Sequence, residues 1–116
     1  MLLQLSIENF AVIQKATLEL SKGLNVDSGE TGAGKSLVVK ALLGVLGRKL
    51  DRDIVRQGQE KASIEGIFQY DSRTNQGLTE LLTSKQIDIQ DDVLILRREI
   101  RRSVTSMWWI NNRAIS

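Results

Sequence analysis

Gly29, Gly34, Lys35 and Ser36 stand at the spacing G-x-x-x-x-G-K-S, within the run Gly29-Glu30-Thr31-Gly32-Ala33-Gly34-Lys35-Ser36. Glycines at these positions let the backbone curl with its N–H groups turned inward, a nest for phosphate oxygens. An ammonium at Lys35 reaches the terminal phosphates, and a hydroxyl at Ser36 suits a Mg²⁺ ligand. A helix leaving the loop adds the positive end of its dipole. The chemistry indicated is binding of a nucleoside triphosphate with Mg²⁺, and all eight residues are phosphate-binding candidates. A plain glycine-rich turn is the competing reading. The flanks oppose it, because Leu24-Asn25-Val26 reads as a strand entering the loop and Leu37 onward as a helix leaving it.

The elements that must position this loop follow from hydrophobic periodicity. Leu3, Leu5 and Ile7 alternate with Gln4, Ser6 and Glu8, as in a half-buried strand. Asn9-Phe10-Ala11 interrupts it, and a second alternating run places Leu18 and Leu20 on one face. Ser21-Lys22-Gly23 is a turn signal, and a third strand, Leu24 to Ser28, delivers the chain to the loop. Two strands, expected as an antiparallel pair, thus precede the nucleotide motif. Small P-loop kinases usually place that loop after their first strand, so the layout counts against them.

The spacing predicts a helix from about Lys35 to Leu46, apolar on all but a stripe of Ser36, Lys40 and Gly44. A helix of that kind is buried, packed on a sheet on one side and on another element on the other. Gly47 is the expected stop, with Arg48 and Lys49 near the negative end of the dipole. Ala62 to Tyr70 alternates with Ala62, Ile64, Phe68 and Tyr70 on one face. Leu78, Leu81 and Leu82 fit a short helix. Strands are expected over Val93–Ile100 and Thr105–Ile110, with Asn111-Asn112 at a positive-φ turn.

Composition sets the outer limits. With 116 residues the chain is at most one domain, able to bury roughly two-thirds of its surface. Its 41% hydrophobic and 26% charged residues are those of an ordinary soluble globular protein. No apolar run suffices to span a membrane, and no export signal is expected at the start. The absence of cysteine and histidine excludes disulfides, thiolate zinc sites, a Ser-His triad and His-ligated metals. A net charge of +2 is too small to imply nucleic-acid binding by itself.

Several segments together resemble one family. Leu5-Ser6-Ile7-Glu8-Asn9-Phe10-Ala11-Val12-Ile13 is similar to the first strand and corner of SMC-like ATPases. Gly23-Leu24-Asn25-Val26 with the glycine-rich loop is similar to the RecN-like family of bacterial DNA-repair proteins. Ile54-Val55-Arg56-Gln57-Gly58, Ile64-Glu65-Gly66-Ile67-Phe68, Leu96-Arg97-Arg98-Glu99-Ile100 and Trp109-Ile110-Asn111-Asn112-Arg113 agree with it. The resemblance implies an α/β fold, that of a P-loop NTPase. Residues 1–116 would form the N-terminal lobe of an ABC/SMC-type ATPase head, with an antiparallel β subsheet and a mixed core sheet. It further implies ATP and Mg²⁺ as cofactors, and DNA as a partner of the full-length protein in double-strand-break repair and recombination. A second head and the protein's own C-terminal lobe would be further partners, and the location cytoplasmic, at the nucleoid. By position, Arg56 resembles an arginine that reaches nucleotide in such heads; a solvated loop arginine is the plain alternative.

The sequence also departs from the family. Val93-Leu94-Ile95-Leu96 is a hydrophobic strand, but Arg97 follows where a Mg²⁺-binding acid would stand, and a cation cannot ligate Mg²⁺. The glutamate base, glutamine loop and signature loop of the family mechanism are absent. Asp27 stands where an apolar residue is more usual, and Lys40 where an acid is. Arg101-Arg102-Ser103-Val104-Thr105 lacks a hairpin glycine, and Val104 suits positive φ poorly. Strand alternation splits Arg97, Arg98, Arg101 and Arg102 over two faces, favouring a solvated sheet end over a DNA-phosphate patch. Trp108 and Trp109 suit base stacking or, for at least one of them, burial in the core. An ABC-type ATPase subunit of another system and a truncated, non-catalytic relic are the alternative functions. The expected outcome in a phosphate-release assay is that the purified chain with ATP and Mg²⁺ stays at background; sustained turnover would show that the chain carries a complete hydrolytic site.

Overall fold

The alternating runs become strands joined by tight corners. The computed structural model describes residues 1–27, 31–71, 73–89 and 92–115, and of residues 27 and 31–33 the backbone alone. Strand β1 (Leu2–Phe10) turns through Ala11-Val12 into β2 (Ile13–Glu19), with Phe10 opposite Ile13. Asn9 and Ala11 take positive φ at the corner. Phe10 does not interrupt the strand; it ends it, fully buried in the core. In β2 the buried anchors are Ile13 and Ala16, whereas Leu20 lies past the strand and is exposed. β3 (Gly23–Asp27) then pairs antiparallel with β2, so the expected pair is extended into a three-stranded meander.

Four further strands complete one seven-stranded sheet: β4 (Lys61–Gln69), β5 (Val93–Arg101), β6 (Met107–Ile110) and β7 (Arg113–Ile115), in the order β3-β2-β1-β4-β5-β6-β7. Every pairing among the described residues is antiparallel. The antiparallel subsheet is therefore the part that these residues build, and β3 is left as an edge strand. The β6–β7 hairpin turns on Asn111 and Asn112 at φ 48° and 67°, the left-handed pair that matches strand twist. Asn111 also closes the sheet locally. The Ile95 amide donates to its Oδ1 at 2.6 Å, and its Nδ2 donates to the Asp88 carbonyl at 2.9 Å. The strain expected at Val104 does not arise, because no residue of the 102–106 connection takes positive φ.

One face of the sheet is apolar and carries the helices. Helix α1 (Thr31–Val45) buries Val38, Ala41 and Val45 against Leu5, Ile7, Ile64 and Ile100. Gly44, expected on the polar stripe, instead faces inward, where an added Cβ would come 2.4 Å from Leu50. The other side of α1 is uncovered among the described residues, with Val39 57% and Leu43 38% exposed. A short helix α2 (Gln76–Ser84) covers the far end with a second cluster of Leu82, Tyr70 and Ile87. The smallest dimension, 18 Å, is that of two layers.

The opposite face is polar. Its centre is Glu99 on β5, only 5% exposed, which accepts hydrogen bonds from Arg97 Nη2 at 3.0 Å and Arg101 Nη2 at 2.8 Å. Lys61 lies 3.9 Å away. Burial raises the Glu99 pKa, but the two guanidinium hydrogen bonds and the Lys61 charge outweigh it, and the carboxyl sits below its usual value of 4.5. A depressed carboxylate contributes stability that is fully present above its unfolded pKa and is lost as pH falls through the folded one. The thermal midpoint is thus expected to fall as pH drops below about 4.5 and on towards the lowered value. Glu99→Gln flattens that part of the curve; an unchanged slope in the variant would assign the acid sensitivity elsewhere.

Candidate functional site

β3 points the chain at the motif and α1 carries it away. Gly29 and Glu30 lie outside the described residues, and Thr31, Gly32 and Ala33 are described in backbone only. The helix starts at Thr31, earlier than the Lys35 expected from the spacing. Extending the helix through Ala33, the strongest helix former, gives the Lys35 to Val38 amides acceptors one turn earlier. The orphan N–H groups of a helix start are those of the cap and the first three helical residues, here Thr31 to Ala33 among the described residues. The free donors and the positive end of the dipole therefore coincide with the motif itself. Gly34 is buried over Val26 of β3, whose Cγ1 lies 3.4 Å from where a Cβ would stand. Lys35 and Ser36 are exposed on the first turns of α1. An ammonium, a hydroxyl and orphan amides so brought together suit a polyphosphate.

The metal is subject to a chemical test of its own. No group of three or more Asp or Glu side chains that could hold a cation occurs among the described residues. A site built from protein carboxylates does not fit. Mg²⁺ held by one hydroxyl and by phosphate oxygens, with water completing its shell, does fit the exposed Ser36.

The far end of α1 is held by residues that sequence reasoning missed. Gly47, at φ 115°, makes the expected stop: its amide donates to the Gly44 carbonyl at 3.1 Å, and the Arg48 amide to Leu43 at 3.0 Å, a Schellman closure. No basic residue lies in the last turn. The cation comes from β5, where Arg98 donates through Nη1 to the carbonyls of Gly44 at 3.0 Å and Arg48 at 2.7 Å. The signal was legible in outline, since Arg98 shares the inward register of Leu94, Leu96 and Ile100.

The remaining candidates are accounted for by internal partners. Arg56 Nη1 donates to the Val12 carbonyl at 2.7 Å, and its amide to Asn9 at 2.8 Å. It is docked on the β1–β2 corner, at the end of the sheet where Lys15 of β2 stands opposite Asp27 in the strand register; this is the end from which β3 feeds the motif. Arg102 ties down the same loop, donating to the carbonyls of Val55 at 2.9 Å and Gln59 at 2.8 Å. Arg97 pairs with Glu65 and Glu99 on the face away from α1, so β5 brings no acid to the motif. The arginine cluster is thus neither a solvated sheet end nor a free phosphate patch. Neither tryptophan is in the core: both are half-buried, with Arg98 4.5 Å above Trp108 and Arg97 5.7 Å above Trp109. Lys40 is solvated.

A helix crossing an antiparallel sheet, with a phosphate-binding spacing at its start, is a fold shared with SMC-type ATPase heads. Solved structures agree on the fold. An SMC ATPase, described in work on ATP-driven dimerization and DNA-stimulated activation, is 22% identical with a TM-score of 0.67, covering 99% of this chain and 72% of that one. The Smc head domain of Pyrococcus furiosus, bound to the C-terminal domain of ScpA, gives 20% and 0.68, covering 99% and 30%. The recombination mediator RecF gives 14% and 0.63, covering 100% and 28%. The profile of the family described as AAA domain matches residues 4–107, and the chain belongs to that family. Among curated proteins it is similar to the DNA repair protein RecN of Bacillus subtilis, 35% identical over the whole chain, and of Xylella fastidiosa, 39% identical over the whole chain. RecN of Haemophilus influenzae is 38% identical, again over the whole chain. The chain spans about one fifth of the length of these relatives, 20–21%.

Gly34→Ala separates the two demands made on this position. An alanine Cβ meets Val26 at ordinary contact distance, and replacing a helical glycine gains up to about 1 kcal/mol. Melting is expected to rise slightly, because the new methyl packs on Val26 on the sheet side of the helix, and ATP binding is expected to weaken only as far as that contact lifts the first turn off β3. A clear fall in the melting temperature would show that the first turn of α1 is not seated on Val26 in this way.

Proposed function

We propose that the chain is the ATP-binding N-terminal lobe of a RecN-like, SMC-type ATPase that acts in DNA double-strand-break repair and recombination. The observation that carries this reading is the seating of the G-x-x-x-x-G-K-S spacing at the junction of β3 and α1, with Lys35 and Ser36 exposed there. In this reading, residues Gly29 to Ser36 hold the phosphates of ATP, with Lys35 on the terminal ones and the Ser36 hydroxyl on Mg²⁺. Mg²⁺ supplies charge neutralisation when bound; the chain supplies orientation, through a helix whose axis is fixed by the sheet. Arg56 sits at the motif's end of the sheet and is the nucleotide-contact candidate, provided that it releases the Val12 carbonyl. The lobe binds ATP and does not turn it over alone.

Two features support a lobe that is completed by more of the same protein. The outer side of α1 presents Val39 and Leu43 to solvent, as the turn after it does Leu46, and β3 has an unpaired edge among the described residues. A C-terminal lobe that covers the helix and adds strands beside β3 would satisfy both. A second head facing the motif, and DNA bound by the full-length protein, belong to the same proposal, which similarity to RecN and the fold shared with SMC heads support. The reported relatives are DNA-repair proteins, which favours this reading over an ABC subunit powering another system. No helix among the described residues is long and apolar enough to cross a membrane.

The direct test is ATP–Mg²⁺ titration of the chain against Lys35→Ala. Removing a charge-assisted contact costs about 1.5–3 kcal/mol, so the dissociation constant is expected to rise between roughly tenfold and a hundredfold. Equal affinities would remove the site assignment.

A further inference from the structure

Helix α1 crosses the strands instead of following them. Its first turn, at Gly34, lies over Val26 of β3, and near its end Val45 meets Gly66 of β4. The two ends share one cross-strand row: Val26 is opposite Ala16, Ala16 opposite Ile7, Ile7 opposite Ile64, and Ile64 opposite Arg98. The ten residue steps from Gly34 to Gly44 span about 15 Å, which with the reach of the Arg98 side chain covers the four strand spacings between β3 and β5 at about 4.8 Å each. The apolar stripe fixes how far α1 stands from the sheet. Apolar contacts are non-directional and fix its position along its own axis only weakly. That position determines where Lys35 and Ser36 stand relative to the end of β3.

Arg98 supplies the missing directional constraint. It is 6% exposed, and its Nη1 donates to the carbonyls of Gly44 and Arg48 on either side of the Gly47 stop. Its Nε donates to Ser106 Oγ at 3.2 Å, and the guanidinium lies over the Trp108 ring. No carboxylate pairs with it among the described residues. A buried cation without a counter-ion is costly, and burial pulls the Arg98 pKa below its ordinary value. Its negative partner is the carbonyl end of α1. We propose that Arg98 is a positioning residue for the nucleotide site, setting the axial placement of α1 from its far end so that Lys35 and Ser36 meet the phosphates. This rests on the reading of Gly29 to Ser36 as that site.

The test compares Arg98→Met, Arg98→Lys and, as an unrelated core truncation, Leu82→Ala in the α2 cluster, each at a temperature where circular dichroism shows a folded chain. Two readouts are taken: amide chemical shifts of Gly34 to Leu37 without nucleotide, and the ATP–Mg²⁺ dissociation constant. Arg98→Met is expected to move those amides, at the opposite end of the helix, and to weaken ATP at least tenfold. Arg98→Lys, able to reach a single carbonyl, gives an intermediate effect and serves alone if Arg98→Met does not fold. Leu82→Ala lowers the melting temperature, leaves the amides in place and keeps affinity within about twofold. Unmoved amides in both Arg98 variants, or an affinity loss matched by Leu82→Ala, would overturn the proposal. Moved amides in a chain whose unsubstituted form binds no ATP would uphold the positioning role and refute the nucleotide site.

Discussion

The structure depends on burial of one helical stripe on one sheet face. Val38, Ala41 and Val45 of α1 meet Leu5, Ile7, Ile64 and Ile100, and there is no second helix over the centre of the sheet among the described residues. Each large aliphatic side chain so buried contributes about 1.5–3 kcal/mol, and the same contact presses α1 onto four strands at once. Small residues allow the approach: Ala41 is fully buried, and Gly44 and Gly66 sit where a Cβ would strike Leu50 and Phe68. The phosphate-binding residues have no packing of this kind. Lys35 and Ser36 are held in place because the next turns of their helix are.

Charge is arranged as asymmetrically as packing. The chain has more cations than anions, yet the arginines of β5 and of the connection after it are not free for an external anion. Arg97 and Arg101 converge on Glu99, Arg98 on the end of α1, and Arg102 on the carbonyls of the loop after the helix. Each satisfies buried or half-buried acceptors that would otherwise be costly. A basic composition at this level therefore describes internal capping and crosslinking, and Lys35 stands out as a cation whose position is set by a motif.

Periodicity made most of the frame legible. The strands, the helix after the third of them, the Gly47 stop and the Asn111-Asn112 turn each follow from local rules that act within a few residues. What escaped was set by contacts distant in sequence. Phe10 looked like a break because Asn9-Phe10-Ala11 falls out of the alternation, and only the fold, with Asn9 and Ala11 at positive φ, shows that Phe10 plugs the core. Gly44 looked like part of a polar stripe because a glycine has no side chain to declare its face. Arg98 looked solvated because residue type outweighed its inward register. Of the site, the spacing announced the phosphate chemistry, but the start of α1 at Thr31 and the docking of Arg56 on Val12 required the backbone.

The strand order has a consequence for how the chain acquires its site. All seven strands fall into two runs of neighbours in sequence, β1 to β3 and β4 to β7. Most such pairings close short loops. The β1–β4 pairing, with Leu5 opposite Gly66, instead encloses the whole segment containing β2, β3, the motif and α1. Loop-closure entropy grows with the length enclosed, and sheets dominated by distant pairings form slowly. Competence to bind nucleotide is thus tied to the most entropically demanding junction of the sheet, and a chain whose two halves have folded without meeting has strands but no platform for the helix.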